Sequence, residues 1–207
     1  PPVDTANTAI VRIFTPMNEL PFAGHPNVGT GYVLANHPSS VPTTGTVTTS
    51  TNPETGQGQA SMCFEEKAGL VQVLVDMSSD DKAQQAMIAA PQALQQRPGH
   101  TIEAMARALN LEPDQILGEA EGSTIVSVGI EFPVVEVGDL HALRQSSANV
   151  EQFKRLSLNP VITGANADAD DAFLVYVYCR NGSGEVSARM FDPLHGIPED
   201  PATGSAA

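Results

Sequence analysis

The sequence predicts a mixed α+β fold of two lobes, and three observations carry that prediction. Strand-like segments follow one another without an intervening helix, which is not the alternation of a doubly wound sheet. Asn181-Gly-Ser-Gly184, set between two apolar, β-branched stretches, is a hairpin signal. A Pro- and Gly-punctuated connection, PQALQQRPGH (91–100), separates a first lobe, residues 1–95, from a second, residues 96–207.

Taken in order, AIVRIFT (9–15) is rich in β-branched and aromatic residues and reads as a strand. Residues 16–26 are loop, punctuated by Pro16, Pro21, Gly24 and Pro26. NVGTGYVLAN (27–36) reads as a buried helix whose glycines let another layer approach closely. Residues 47–50, 60–64 and 70–76 read as successive strands, the first two joined by the turn-rich TNPETGQGQ. Residues 81–90 and 101–109 read as helices, with Thr101 a candidate N-cap. One or two strands are expected over 124–137 and helix over most of 140–156. The segments 172–180 and 185–191 form the arms of the hairpin.

Composition narrows the function. The chain has 207 residues, 41% of them hydrophobic and 16% charged, as ordinary folded proteins have. A net charge of −14, with ten scattered Lys and Arg, argues against a nucleic-acid partner and against an anionic membrane surface. The longest apolar run, AFLVYVYC (172–179), is far too short to span a bilayer and suits a buried strand. With no basic-then-apolar leader, the expected compartment is cytoplasmic. Cys63 and Cys179 are then expected to be reduced, buried thiols. His37, His100, His141 and His195 show no metal-ligand spacing, and surface or loop roles are expected for them.

One pattern occurs twice. His25-Pro-Asn-Val-Gly-Thr-Gly31 answers Asp200-Pro-Ala-Thr-Gly-Ser-Ala206, each a Pro at a helix start with a titratable residue before it. A helix start exposes unpaired N–H groups and a partial positive charge. Two such ends across a cleft would grip a small carboxylate, with His25 and Asp200 flanking it as proton donors and acceptors. That arrangement requires neither a metal nor an organic cofactor.

FTPMNELPFAGHPNVGTG (14–31), followed by RMFDPLHGIPEDPATGSAA (189–207), resembles the phenazine-biosynthesis PhzF-like isomerase family. The resemblance extends over most of the chain, although residues 46–171 match only in their pattern of elements. It implies the diaminopimelate epimerase fold, with two pseudo-symmetric lobes, each a curled, mostly antiparallel sheet around a central helix. It also implies a homodimer and a cofactor-independent isomerase that moves a proton between carbons of a small carboxylate-bearing substrate. The family's cleft-lining His and Asp fall on His25 and Asp200. Its substrate-binding Gly and Gly-Ser positions fall on Gly24, Gly204 and Ser205.

Two departures accompany the resemblance. The family's principal acid/base, a Glu in a Ser-Glu motif upstream of the first strand, has no counterpart in PPVDTANT, and the second central helix has no residues after Ala207. The chain is therefore expected to be the middle of a longer protein and inactive as it stands. Glu19 and Glu199 are expected to brace loops rather than to replace the missing base. Three structural readings stand beside the functional ones: His25 as a loop polar residue, Asp200 as a plain N-cap, and Gly204 and Ser205 as helix-start packing. Two rival functions remain open. One is a non-catalytic binding or scaffold protein of the same fold. The other is an amino-acid racemase or epimerase.

Overall fold

A computed structural model describes residues 1–54, 56–118, 122–158 and 173–204. The fold is mixed α+β, and the chain divides into two compact units. The first comprises Pro1–Ile13, Leu20–Ala93 and Val128–Ile130; the second comprises Phe14–Glu19, Leu94–Ser127 and Glu131–Ala207.

The first unit is a five-stranded sheet with one helix on it. Its elements are β1 (Ala9–Ile10), α1 (Gly24–Asn36), β4 (Thr48–Thr51), β5 (Gly58–Glu66), β6 (Gly69–Met77) and β7 (Ala83–Ala89). Between β1 and α1 lie β2 (Ile13–Phe14) and β3 (Glu19–Leu20), which pair as a separate ribbon. The expected first strand is thus broken into β1 and β2. Strand β5 is the organiser: β4 and β6 join it antiparallel, and β1 joins it parallel at Ala9↔Phe64. Alternation along β5 and β6 buries Ala60, Met62, Phe64, Val71, Val73 and Val75 on one face. Helix α1 lies on β6 and β7 through a face of Gly24, Asn27 and Gly31. Gly31 is needed there, because a Cβ would stand 2.5 Å from Val73 Cγ1.

Two expectations fail in this unit. Residues 81–90 were expected to be helical, yet β7 is a strand, paired with β6 through Val73↔Ile88 and Val75↔Ala86. The Ala, Gln and Met of this stretch favour helix only weakly, and an open sheet edge with a full ladder of partners outweighs that preference. Helix α1 also begins three residues earlier than expected, at Gly24. Pro26 is tolerated inside the first turn, where its missing N–H has no intrahelical acceptor to lose.

Among its described residues the second unit has a six-stranded sheet in the order β13-β12-β11-β10-β9-β8 and three α-helices. In chain order its elements are β8 (Gln95–Pro98), α2 (Ile102–Leu109), β9 (Thr124–Ser127), β10 (Glu131–Glu136), α3 (Leu140–Gln145), α4 (Val150–Ser157), β11 (Val175–Arg180), β12 (Val186–Asp192) and β13 (Ile197–Asp200). Among the described residues of this sheet only β10 and β11 run parallel. The expected connection at 91–100 contains β8, which pairs with β9. Caps explain the helix starts: the side chains of Thr101, Asp139 and Asn149 accept from Ala104 N, Ala142 N and Gln152 N. Asn110, left-handed at φ 52°, ends α2. The core joins Leu109, Phe153 and Phe173 to Ile125, Val135 and Val177. As expected, the 181–184 turn closes the β11–β12 hairpin, with Asn181 N donating to Glu185 O at 2.9 Å.

Cys63 and Cys179 are both free thiols; Cys179 is buried, whereas Cys63 is only half-buried, at the position of β5 that faces away from the apolar layer. No helix among the described residues is long and apolar enough to cross a membrane.

Candidate active site

In the first unit, helix α1 starts without a side-chain cap. Ala23 is the N-cap of α1 and makes no side-chain cap, so the N–H groups of Gly24 and His25 lack intrahelical acceptors. No acidic residue lies in the first turn to neutralise the partial positive charge there. Gly24 is buried and His25 is exposed, which leaves the imidazole free to meet a molecule from solvent. Such a helix tip suits an anion, and the ring beside it suits proton exchange.

Asn27, fully buried in the same turn, donates from Nδ2 to Ala23 O at 2.9 Å. Its Oδ1 has no hydrogen-bond partner, and neither Oε1 nor Oε2 of Glu66, at the end of β5, has one. Desolvation pushes the Glu66 carboxyl up to about 7, and only the neighbouring Asn27 amide opposes it.

In the second unit, Asp200 is the last residue of β13. Its Oδ2 accepts from Thr203 Oγ1 at 2.7 Å and its Oδ1 from Ala202 N at 3.3 Å. The carboxylate thus organises the turn that follows, as a cap does, while remaining only half-buried. The capping and proton-exchange readings of Asp200 are compatible. Gly204 is exposed, with open space where a Cβ would project. The helix start expected at Pro201 is not found over 201–203, where Asp200 and Thr203 instead close a non-helical turn; Ser205 lies outside the described residues.

Strand β13 is held by Arg189 of β12. The guanidinium grips Glu199 with Nε and Nη2 at 2.9 and 2.7 Å. Its Nη1 donates to Ser146 O at 2.6 Å and reaches Leu143 O and Arg144 O at 3.2 and 3.3 Å, the carbonyl end of α3. Glu199 is therefore a brace, as expected, and the paired guanidinium holds its carboxyl below the ordinary value. Glu19 lies half-buried in β3.

Two histidines contradict the surface roles expected of them. His195 is 2% exposed, and its Nδ1 lies 2.7 Å from Oδ1 of Asp192, which is 1% exposed. Burial pushes the Asp192 carboxyl up despite this pairing, and the charge of Asp200 adds to the effect. His100 is also buried, edge-on to Phe173 at 5.4 Å. Desolvation, with the Arg97 charge second, lowers its imidazole to about 4, so the ring is neutral at pH 7. His37 and His141 are exposed. Among the described residues no group of three or more His, Cys, Asp and Glu is placed to hold a metal ion.

Sequence reading singled out His25, Asp200, Gly24 and Gly204 but missed Glu66, Asn27, Asp192, His195 and Arg189. A usable signal existed for Glu66. The buried series Ala60, Met62, Phe64 continues by twos onto it, so the alternation itself aims a carboxylate at the apolar layer.

Comparison with known proteins identifies the family and the fold. A family model described as phenazine biosynthesis-like protein (PhzC-PhzF) matches residues 1–207. An uncharacterised isomerase of Mesorhizobium japonicum is 31% identical over 214 residues, covering 100% of this chain and 62% of that protein. The trans-2,3-dihydro-3-hydroxyanthranilate isomerase of Pseudomonas chlororaphis is 29% identical over 202 residues, covering 96% and 57%. The chain thus spans about three fifths of the length of the curated relatives it matches. The structure of a Bacillus anthracis phenazine biosynthesis protein of the PhzF family has the same fold, with a TM-score of 0.62 at 21% identity, over 94% of this chain and 57% of that one. A predicted epimerase of Pseudomonas aeruginosa gives 0.63 at 21% identity, over 100% and 61%.

Proposed function

The chain belongs to the phenazine biosynthesis-like PhzC-PhzF family, and from that membership we propose that the whole protein is a cofactor-independent isomerase acting on a small carboxylate-bearing acid. The reaction is the transfer of a proton from one carbon of the substrate to another. His25 and Asp200 serve it as proton carriers, while the N–H groups at Gly24 and the Gly204–Ser205 backbone bind substrate. The observation that carries this reading is the start of α1, where an exposed imidazole stands beside N–H groups with no cap of their own.

The relatives supply the first compound to assay. Several of them are trans-2,3-dihydro-3-hydroxyanthranilate isomerases, and the compound in that name carries a carboxylate. In the full-length protein, incubation with this compound in heavy water is expected to give an isomerised product with deuterium at one carbon. The variants H25A and D200A are expected to lower kcat/KM by about 10²- to 10⁴-fold, the usual contribution of a positioned acid or base, with the melting temperature nearly unchanged. Equal loss of turnover and of stability would reduce both residues to caps. Failure to exchange deuterium with any small acid would leave a binding protein of the same fold. A cytoplasmic homodimer is part of the proposal, and sedimentation of the full-length protein tests the dimer.

A further inference from the structure

Strand β13 is too short to choose its register by apolar pattern. It reads Ile-Pro-Glu-Asp, with one aliphatic side chain and a proline that has no N–H to give to a ladder. Its start is fixed by the turn before it. Asp192 Oδ1 and His195 Nδ1 are bonded at 2.7 Å across that turn, both side chains all but fully buried, and Ile197 stands opposite Asp192. A buried pair of this kind adds little stability over apolar residues, and its best use is to fix one arrangement among several. From that start, a regular antiparallel ladder would continue with Glu199 opposite Met190 and Asp200 opposite Arg189. The strand does otherwise. Asp200 is the partner of Met190, with the irregularity between Met190 and Asp192, so β13 takes up one extra residue, as in a β-bulge.

That residue decides which carboxylate Arg189 meets. Side chains alternate between the two faces of β12. Arg189 lies on the side of α3, where Nη1 donates to Ser146 O and Cζ stands 4.8 Å from the Phe191 ring centre; Met190 lies on the other side. In the regular register Asp200 would share a face with Arg189 and pair with it. In the observed register Glu199 takes that place, held by Nε and Nη2 at 2.9 and 2.7 Å, and Asp200 shares a face with Met190. The Asp200 carboxylate accepts from Thr203 Oγ1 and Ala202 N and, among the described residues, forms no ion pair.

We propose that Glu199 is a positioning residue for Asp200: by occupying Arg189 it holds the shifted register and leaves the neighbouring carboxylate free to exchange protons. The positioning role rests on the isomerase reading of Asp200; the choice of register does not. Two adjacent carboxylates compete for one guanidinium, and a slip of one residue exchanges them, because it sends each side chain of the strand to the opposite face. Glu199 meets the guanidinium through two parallel donors, the strongest geometry open to such a pair. Asp200 is meanwhile engaged by Thr203 and Ala202, and the slip would break both bonds.

The test uses the full-length protein and its variant E199Q, in which Asp200 is left as the carboxylate beside Arg189. The first readout is the cross-strand NOE between backbone protons of Met190 and its partner. It is expected to connect Met190 with Asp200 in the natural protein and with residue 199 in E199Q, and an E199Q protein that keeps the Met190–Asp200 contact overturns the proposal. The second readout is turnover. Misplacing a reacting group by about 1 Å can cost about 10²-fold, and E199Q is expected to lose that much in kcat/KM. The double variant R189Q/E199Q removes the competing cation as well, so it should regain activity over E199Q although both partners of the brace are gone. A merely structural tie gives the opposite order, and a double variant no more active than E199Q overturns positioning. If the natural protein turns nothing over, the isomerase reading fails while the NOE still decides the register. If turnover is found and E199Q keeps it, only the present inference falls.

Discussion

Gly31 occupies a place in α1 where the helix and β6 leave no room for a side chain. A methyl group built on it would lie 2.5 Å from Val73 Cγ1 and 3.7 Å from Val75 Cγ2. Val73 is fully buried and branched at its β-carbon, so it has no flexible end to swing away. G31A is expected to destabilise the protein by about 1–3 kcal/mol, as overpacked cores do, measured by urea denaturation. G29A, on the exposed face of the same helix with nothing within 4 Å, should be neutral or slightly stabilising. Stability lost equally by both variants would trace the effect to backbone freedom rather than to contact. The sequence reading expected a close approach at both glycines, and the structure makes it at Gly31 but not at Gly29. That reading passed over Glu66 because a Glu-Glu pair at a strand end resembles a solvated turn, although the period-two rule placed one carboxylate outward and the other inward.

Elements were legible where local pattern and tertiary demand agreed. Thr101, Asn181-Gly and the alternating valines of β6 each state a local preference that the fold uses. The stretch that became β7 states one preference and obeys another, because β6 presents an unfilled edge that no local pattern reveals. Arg189 belongs to the same class of information. Nothing in RMFDP marks an arginine that ties β12 to β13 and to the carbonyl end of α3. R189K is expected to cost about 1–3 kcal/mol in thermal unfolding, because an ammonium cannot hold a carboxylate through two donors and reach Ser146 O as well. Since Asp200 directly follows Glu199, the same variant should lower kcat/KM by more than its stability loss accounts for. An R189K protein with normal turnover would show that β13 keeps its position without this tie.

At the scale of the whole molecule, the two motifs that carried the family resemblance, 14–31 and 189–207, were legible because backbone turns and helix starts demand specific small residues. Most of the remaining sequence encodes only apolar alternation, which many folds share. The charge balance, by contrast, is legible in full: 24 acidic residues against 10 basic ones leave −14 on 207 residues. Ten cations cannot balance that many anions, and the ion pairs Lys82–Asp80, Arg97–Glu131, Arg180–Glu136 and Arg189–Glu199 already engage four of the ten. Compacting such a chain concentrates like charge, and the repulsion is screened within about 10 Å at 0.1 M salt but extends to about 30 Å at 0.01 M. Raising sodium chloride from 10 to 300 mM is therefore expected to raise the melting temperature at pH 8 by a few degrees, roughly 2–4 °C for a ΔΔG near 1 kcal/mol. The increment should shrink at pH 5, where part of the carboxylate charge is lost. A melting temperature that falls with salt at pH 8 would mean that the ion pairs outweigh the unbalanced charge, and that local pairing rather than net repulsion sets the electrostatic stability of this fold.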